Sequence, residues 1–170
     1  MCVYSYFAIR LTVTSQEPEE NEGSMLVRQA LEPSIQLDIL EKSVVDINVL
    51  VLEDDGCYLC AGIIAASLAL CDAGIPMFDL VSCCSVAALS DDSSTNNSAS
   101  LFLDPSEAEM GKSWCISTIA MMPLRGKVTF ACSSGSMSPV NMAQGMQMAM
   151  HGCASMYERM KDVLKQRTNN

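Results

Sequence analysis

The segment Cys57–Ala73 constrains the fold more than any other part of the chain. It is small and apolar on almost every face of the helix that its composition predicts. A helix of this kind is buried between other elements, so the chain must supply structure on several sides of it. Gly74 follows directly and is suited to end the helix as a C-cap. The continuous apolar stretch within the segment, Ala61–Leu70, is too short to cross a bilayer.

Strand patterns on both sides of this helix predict a mixed α/β order. Residues that are β-branched or aromatic, or that alternate with polar ones, mark strands at Val3–Val13, Val44–Leu52, Leu101–Asp104, Cys115–Met122 and Lys127–Cys132, and one or two strands within Met77–Leu89. The second of these is apolar beyond Leu50, which predicts a buried strand. Arg125-Gly126 is expected to form the turn between the last two strands.

Two further helices are expected. Ser24 can cap the first, whose apolar residues recur at helical spacing, and Pro33 should kink it or end its first part. The second runs from Ser138 to about Gln166. Its expected apolar stripe consists of Met142, Met146, Ala149, Met150, Cys153 and Tyr157. Such a stripe is typical of a core or an interface.

Length and composition favour one domain over residues 1–170. The chain has 170 residues and is 49% hydrophobic, which suits a single core. An acidic loop is predicted at residues 14–23 and a polar loop at residues 90–100. The opening residues lack a signal-peptide pattern, and the nine cysteines lie mainly in apolar segments, where a free thiol behaves as a small hydrophobe. We therefore expect an intracellular protein without a membrane segment.

The net charge of −10 argues against a freestanding nucleic-acid binder. There are 20 acidic residues and 10 basic ones, whereas phosphate contact needs Lys and Arg. Four basic residues do cluster near the C-terminus: Arg159, Lys161, Lys165 and Arg167. Their position suits the dipole at a helix C-terminus, so they require no RNA to explain them.

A metal or redox site could be inferred from the spacing Cys57-x-x-Cys60. A structural zinc site needs four ligands, however, and the sequence has no second C-x-x-C and only one histidine, His151. His151 also has no acid or serine partner nearby in sequence. The sequence therefore predicts no cofactor and no metal.

Several phrases in fixed order resemble the RNase PH family. In that family an R-x-A-L-E-P phrase leads to a strand, a glycine turn, an A-x-I-x-A-A-S-x-A-L helix and an A-G-I-P phrase. The corresponding pieces here are Arg28–Pro33, Val44–Gly56, Ala61–Leu70 and Ala73–Pro76, and Leu103–Glu109 follows in family order. The resemblance implies an RNase PH-like, or ribosomal protein S5 domain 2-like, α+β fold. It covers about Val3–Leu164.

Active members of the family carry out phosphorolysis of RNA 3′ ends, and this chain departs from their phosphate-binding turn. They hold phosphate with a G-G-T-R-T turn at a helix N-terminus, where backbone N–H groups and an arginine attract the anion. In this chain Tyr58 stands at the position of the threonine and Leu59 at that of the arginine. An apolar side chain cannot pair with phosphate.

The acidic positions of the family are also replaced. Aligning Leu103-Asp104 with the family pattern puts Met110 and Ile116 at the two aspartates that active members use for proton and metal chemistry. A shift of a few residues would offer Glu107 or Glu109, but the strand Cys115–Met122 would then lose register. The family's G-T-A-E-G phrase is Ser133–Met137 here, without its acid. The resemblance thus predicts a chain that is not an enzyme.

Non-catalytic members of the family occur chiefly in the eukaryotic RNA exosome ring. Three segments most resemble the ring subunit named for messenger-RNA transport: the L-E-D-x-G turn, the A-A-S-L-A-L-x-D-A-G helix and the L-D-P-S-E-x-E segment. That role implies other RNase PH-like ring subunits as partners, in a heterodimer within a hexameric ring. It also implies an RNA-binding cap subunit, RNA in the channel, and a location in nucleus, nucleolus and cytoplasm. Arg125 and Lys127 are candidates for touching RNA, although a solvated turn also explains them.

Family members begin with further strands before the segment that matches Val3, so the first strands of the fold are expected to be missing. Three interpretations remain open at this point. The first is a non-catalytic ring subunit. The second is a phosphorolytic 3′–5′ exoribonuclease, against which Leu59, Met110 and Ile116 argue. The third is a truncated product that does not assemble.

Overall fold

Two sheets and four α-helices make up the part of the chain that the computed structural model describes, residues 8–14, 20–40, 44–89 and 100–168. The strands are β1 Ala8–Thr14, β2 Val44–Leu50, β3 Ser82–Leu89, β4 Ser100–Leu103, β5 Ser113–Met122 and β6 Lys127–Gly135. The helices are α1 Glu20–Leu31, α2 Tyr58–Asp72, α3 Glu107–Met110 and α4 Pro139–Thr168. The mixed α/β class is confirmed.

The first sheet is a parallel pair, β1 and β2, joined through α1. Ala8 aligns with Val44 and Thr14 with Leu50. Parallel neighbours need a crossover connection, and α1 supplies it. Among the described residues, β1 pairs with β2 alone. The predicted strand from Val3 begins in residues that lie outside the described ranges.

Helix α1 begins earlier than expected. The predicted acidic loop at 14–23 is wrong at both of its ends, since Thr14 belongs to β1 and α1 starts at Glu20; residues 15–19 lie outside the described ranges. Carboxylates in a first turn are stabilised by the helix dipole, which favours this earlier start over a cap at Ser24. Ser24 lies inside the helix instead.

The end of α1 follows the expectation from Pro33. The helix stops at Leu31 and a 3-10 helix, Glu32–Ser34, continues the chain with Pro33 within it. The Ser34 hydroxyl donates to the Leu31 carbonyl oxygen over 2.6 Å, which satisfies a helix-end acceptor inside the core. A second 3-10 helix spans Leu37–Ile39.

Strand β2 is not the buried strand that its composition predicted. Only Ile47 is buried, with Val45 and Val49 half-buried on the same face, whereas Val44 and Leu50 are exposed. The predicted alternation is therefore confirmed and the predicted burial is wrong. The strand ends at Leu50, and Leu52 beyond it is exposed.

The second sheet is antiparallel, with the order β4-β3-β5-β6. Every residue of β3 from Ser82 to Ala88 is buried. Cys83 belongs to the main core with Ile63 of α2, while Cys84 packs with Cys153 of α4. Strand β3 is thus covered on one face by α2 and on the other by α4. The predicted burial of α2 between other elements is confirmed for the face that carries Cys60, Ile63 and Leu70, whereas Ala61, Ala65 and Ala69 are exposed. The helix ends at Asp72, before Gly74 at φ +71°.

Helix α4 spans the predicted length, but its buried face is rotated from the predicted stripe. Ala149 and Cys153 are buried as expected, whereas Met146 and Met150 are exposed. The buried positions of α4 are Asn141, Gly145, Ala149, Cys153 and Met160. Small residues face the sheet because α4 lies close to it: a Cβ on Gly152 would come within 2.7 Å of Cys84 Sγ. The more hydrophobic methionines were therefore a poor guide to the packed face.

The turn between β5 and β6 is held by a buried carboxylate. Asp79 Oδ2 accepts from the backbone N–H of Leu124 over 2.9 Å, and its Oδ1 accepts from that of Leu80 over 2.8 Å. Burial, together with the charge of Asp79, raises the pKa of the Tyr157 hydroxyl on α4. Asp79 therefore ties the turn to the residues before β3 and to α4.

The described helices include none that combines the length and hydropathy needed to span a membrane.

Replacing Asp79 should destabilise the fold. Asp79→Ala leaves two backbone N–H groups without a charged acceptor, and we expect the free energy of unfolding to fall by about 2 to 3 kcal/mol. Urea denaturation followed by circular dichroism measures the loss. Asp46→Ala, at an exposed position on β2, is the control and should stay within about 0.5 kcal/mol of the wild type. Equal losses for the two variants would contradict this role of Asp79.

Candidate functional site

A groove of about 810 Å³ runs between α2, α4 and the turn after β4. Its lining includes Tyr58 and Ala65 of α2, Cys57 just before α2, and Gly152 and Met156 of α4. Residues of the turns that follow β2 and β4 complete the lining. The first turn of α2, where the family resemblance places phosphate, opens into this groove.

The strand-to-helix turn before α2 is tightly packed. Gly56 has φ +110°, a backbone conformation that favours glycine. Met110 Sδ lies 2.7 Å from the position that a Cβ on Gly56 would occupy, and the Glu107 backbone nitrogen lies 2.9 Å from it. Asp54 Oδ1 accepts from the Gly56 N–H over 2.8 Å. Helix α3 therefore lies against this turn through the Met110 side chain and the Glu107 backbone.

The two residues at the positions of the family's threonine and arginine pack against other parts of the chain. Leu59 is half-buried and packs against the main core. Tyr58 lines the groove, and its ring lies 3.6 Å from the position of a Cβ on Gly23 in α1. The N-cap of α2, Cys57, makes no side-chain capping hydrogen bond. The predicted positions Tyr58 and Leu59 thus lie at the groove end, but neither adds positive charge to it.

The residues at the family's acidic positions do not meet in the groove. Met110 ends α3 and packs at Gly56, while Ile116 lies on β5 paired with Ala87 and does not line the groove. Glu109, the nearest alternative acid, is used in a capping box: its Oε2 accepts from the Ser106 N–H over 2.9 Å and from the Ser106 hydroxyl over 3.0 Å. These hydrogen bonds hold the pKa of Glu109 below its usual range, so it stays ionised.

Two thiols and a hydroxyl meet in the core next to the groove. Cys60 Sγ lies 3.0 Å from Ser85 Oγ and 3.4 Å from Cys83 Sγ. The hydrogen bond to Cys60 and then burial raise the pKa of Cys57, and burial with the charge of Asp104 raises the pKa of Cys84 to about 11. Among the described residues, no group of three or more His, Cys, Asp and Glu side chains could hold a metal ion. The raised pKa values keep the Cys57 and Cys84 thiols protonated at neutral pH.

The charge around the groove is mostly negative. Its lining includes five carboxylates and one guanidinium: Glu53, Asp54, Asp55, Asp104, Glu109 and Arg159. Carboxylates repel phosphate, so the groove disfavours an anion. Sequence patterns did not predict this cluster, although they show the run Glu53–Asp55 and the phrase Asp104–Glu109, because it depends on the contact between the two turns. Glu107 N–H donates to Asp55 Oδ1 over 3.4 Å at that contact.

The predicted RNA-touching pair lies elsewhere. Arg125 lies in the turn after β5, and Lys127 begins β6. This turn is at the other end of β5 from Ser113, whose hydroxyl donates to the Met110 carbonyl oxygen. Both side chains are exposed, and the Arg125 guanidinium stacks on the Phe78 ring with 4.6 Å to its centroid. The structure thus separates these two residues from the first turn of α2. Their contact with RNA stays a prediction.

Gly56 should be more sensitive to substitution than an open glycine. We expect Gly56→Ala to cost about 1 to 3 kcal/mol more than Gly126→Ala, because a methyl group at 56 meets Met110 and the Glu107 backbone. Gly126 has φ +62° with nothing within 4 Å of its Cβ position, so it is a control for backbone strain alone. Urea denaturation of both variants measures the difference. Equal costs would show that the turn is not closed by this packing.

Thiol reactivity should follow exposure and pKa. Cys71 and Cys132 are exposed, whereas Cys84 is buried. With its pKa raised to about 11, about one Cys84 thiol in a thousand is ionised at pH 8. A short iodoacetamide pulse on the folded chain at pH 8, followed by peptide mass spectrometry, should label Cys71 and Cys132 well before Cys84. Because the thiolate fraction rises with pH, labelling of Cys84 should increase steeply towards pH 11. Equal labelling at pH 8 would contradict the buried, protonated state.

Relatives with a curated name share most of this chain. An exosome complex component Rrp41 from Methanopyrus kandleri is 37% identical over 146 residues, and the match covers 86% of this chain and 58% of that protein. The Rrp41 component from Cenarchaeum symbiosum is 34% identical over 148 residues, with 87% and 58% covered. The chain therefore spans less than two thirds of the length of these relatives.

A solved structure and a family model also match this chain. The crystal structure of rice (Oryza sativa) Rrp46 superposes with a TM-score of 0.80 at 20% identity, covering 94% of this chain and 74% of that one, which shows a shared fold. Residues 4–76 match domain 1 of the 3′ exoribonuclease family, RNase PH. The RNase PH-like fold predicted from the ordered phrases is confirmed. The chain belongs to the RNase PH (3′ exoribonuclease) family.

Proposed function

We propose that this chain is a non-catalytic structural subunit of the RNA exosome core ring. In that role it forms part of the channel wall and docks partner subunits, and it supports 3′–5′ RNA processing and degradation by a separate nuclease. The archaeal relatives, which are named as exosome components, support the assembly. The packing at the start of α2 supports the proposed absence of phosphorolysis.

The observation that carries the proposal is the replacement of an anion site by packing at the start of α2. A helix N-terminus alone is a weak anion site, and it binds phosphate well when a guanidinium supplies a bidentate partner. Leu59 is packed into the core at that position, and Met110 lies against the turn. The phosphate of a phosphorolytic reaction therefore has no side-chain cation in the first turn of α2.

Electrostatics and acid–base chemistry support the same proposal. Inorganic phosphate and the RNA backbone would both approach the carboxylates that line the groove. A general acid must hold a proton near the leaving oxygen at working pH. Glu109 is ionised and bound to Ser106, so it cannot donate one there.

Phosphorolysis is the second candidate, because the family whose domain matches residues 4–76 is described as 3′ exoribonucleases. It would need Glu107 or Glu109 as the acid, in the shifted alignment. The capping box and the missing cation argue against it. A third possibility is a product that does not assemble, and the assembly experiment below decides it.

Partners and location form part of the proposal. Neighbouring RNase PH-like subunits, an RNA-binding cap subunit and RNA in the channel are the expected contacts, and the expected location is the nucleus, nucleolus and cytoplasm. Among the strands that the structure describes, β4 and β6 form the edges of the second sheet, where a neighbouring strand could pair. The proposal assigns no ring contact to a particular residue.

No phosphate-dependent cleavage is expected. The purified chain, alone and in complex with its ring neighbours, should neither shorten a 5′-labelled oligoadenylate nor release unlabelled nucleoside diphosphate from it in millimolar phosphate. Release is measured by chromatography with and without phosphate. Phosphate-dependent release that disappears in Glu107→Gln or Glu109→Gln would contradict the proposal and establish the shifted alignment.

Assembly should be stoichiometric. Co-expression with candidate ring neighbours, affinity capture through one neighbour and sizing should yield this chain at one copy per heterodimer. Capture with a neighbour from a different pair in the ring is the control for non-specific association. If the chain is recovered alone while the neighbours pair with each other, the role in the ring is wrong.

A further inference from the structure

We propose that the groove between α2 and α4 binds an amphipathic helical segment of a partner protein, with apolar residues along one face and lysines or arginines at one end. This proposal rests on the proposed absence of phosphorolysis, because the same groove would otherwise have to admit RNA and phosphate. It assigns the groove to a protein partner instead. The shape of the walls and the charge at one end carry the proposal.

Both walls of the groove are helical and carry small residues. On α2, Ala61 and Ala65 are exposed and one turn apart, with Ile64 and Leu68 half-buried beside them. Gly152 and Ser155 of α4 also line the groove. Small side chains let a third helix approach to the usual 8–10 Å between axes, and apolar grooves of this kind receive the apolar face of a partner helix.

Three buried cysteines also line the groove. They are Cys60, Cys83 and Cys84, and Cys60 is hydrogen bonded to Ser85. The pKa values of the Cys60 and Cys84 thiols are raised, so these two present weakly polar surface rather than charge. Leucine or methionine side chains of a partner would be buried there with a gain of about 25 cal/mol for each Å² of apolar surface.

The clustered carboxylates select the partner's polarity. The five carboxylates stand in the turns after β2 and β4 and in α3, which meet where the Glu107 N–H donates to Asp55 Oδ1, and Arg159 is the single cation in the lining. A basic end on the partner segment would complement them and set its direction in the groove. An acidic segment would be repelled by the same carboxylates.

RNA fits these features less well than a basic peptide. Single-strand sites combine a positive groove with aromatic side chains on which bases stack. Tyr58 is the one aromatic residue in this lining, and the carboxylates outnumber the cation. RNA is therefore an alternative occupant that the test must detect.

The test uses the full chain and synthetic probes. The probes are a fluorescein-labelled helical peptide with leucines at i, i+4 and i+7 and lysines at one end, its isomer with the lysines at the other end, a version with glutamates in place of lysines, and oligoadenylate. Fluorescence anisotropy gives each affinity at low and high salt. One lysine isomer should bind best, and the glutamate version at least tenfold more weakly.

Two pairs of variants locate the binding. Ala65→Gln, which fills the groove, should weaken the lysine peptide at least tenfold, whereas Ala69→Gln, one turn further along α2 and outside the lining, should not. Glu53→Gln should weaken it and reduce its salt dependence, whereas Asp46→Asn should not. Circular dichroism of each variant confirms that the fold is kept.

Several outcomes would overturn the inference. Equal effects of Ala65→Gln and Ala69→Gln, or no binding of either lysine peptide, would exclude this groove as the docking site. Equal binding of the lysine and glutamate peptides would remove the role of charge. Tight binding of oligoadenylate that Ala65→Gln abolishes would assign the groove to RNA. Release of nucleoside diphosphate in the separate cleavage assay would instead contradict the proposed function itself.

Discussion

Burial of strand β3 on both faces is the constraint on which the rest of the described structure depends. A strand covered on both sides must carry side chains small enough for two helices to approach, and Ser82–Ala88 consists of Ser, Cys, Val and Ala. The apolar helix α2 takes one face and α4 the other. A change that enlarged β3 would push the helices apart, because close-packed interiors absorb added volume poorly. The groove exists where these two helices diverge at the edge strand β4.

The first turn of α2 shows how packing and chemistry compete for one position. A helix N-terminus presents backbone N–H groups that attract anions, and the same place is suited to a structural contact. In this chain Gly56 allows a sharp turn, and Met110 and the backbone of α3 lie directly against it. Carboxylates from the two turns line the groove beside it. The arrangement stabilises the contact between β2, α2 and β4 and gives up the field that would hold phosphate.

Sequence patterns predicted the elements well and their environment less well. Gly74 and Pro33 act through local backbone geometry, so the helix ends they predict were found. The predicted burial of β2 was wrong because composition does not reveal whether both faces of a strand are covered. The stripe of α4 was wrong at Met146 and Met150, since hydrophobicity favours methionine while close approach to β3 favours Gly and Ala. The carboxylate cluster at the groove was missed because it depends on contact between distant segments, which no local pattern encodes.

The most direct test of the account is whether the first turn of α2 binds inorganic phosphate. Backbone amide signals of Gly56, Cys57 and Tyr58 can be followed by ¹H–¹⁵N NMR while phosphate is added at constant ionic strength, with chloride as the matched control. The packing at Leu59 and Met110 predicts shifts no larger than those that chloride produces, without saturation. Saturable, phosphate-specific shifts at these three amides would contradict the claim that packing has replaced the anion site.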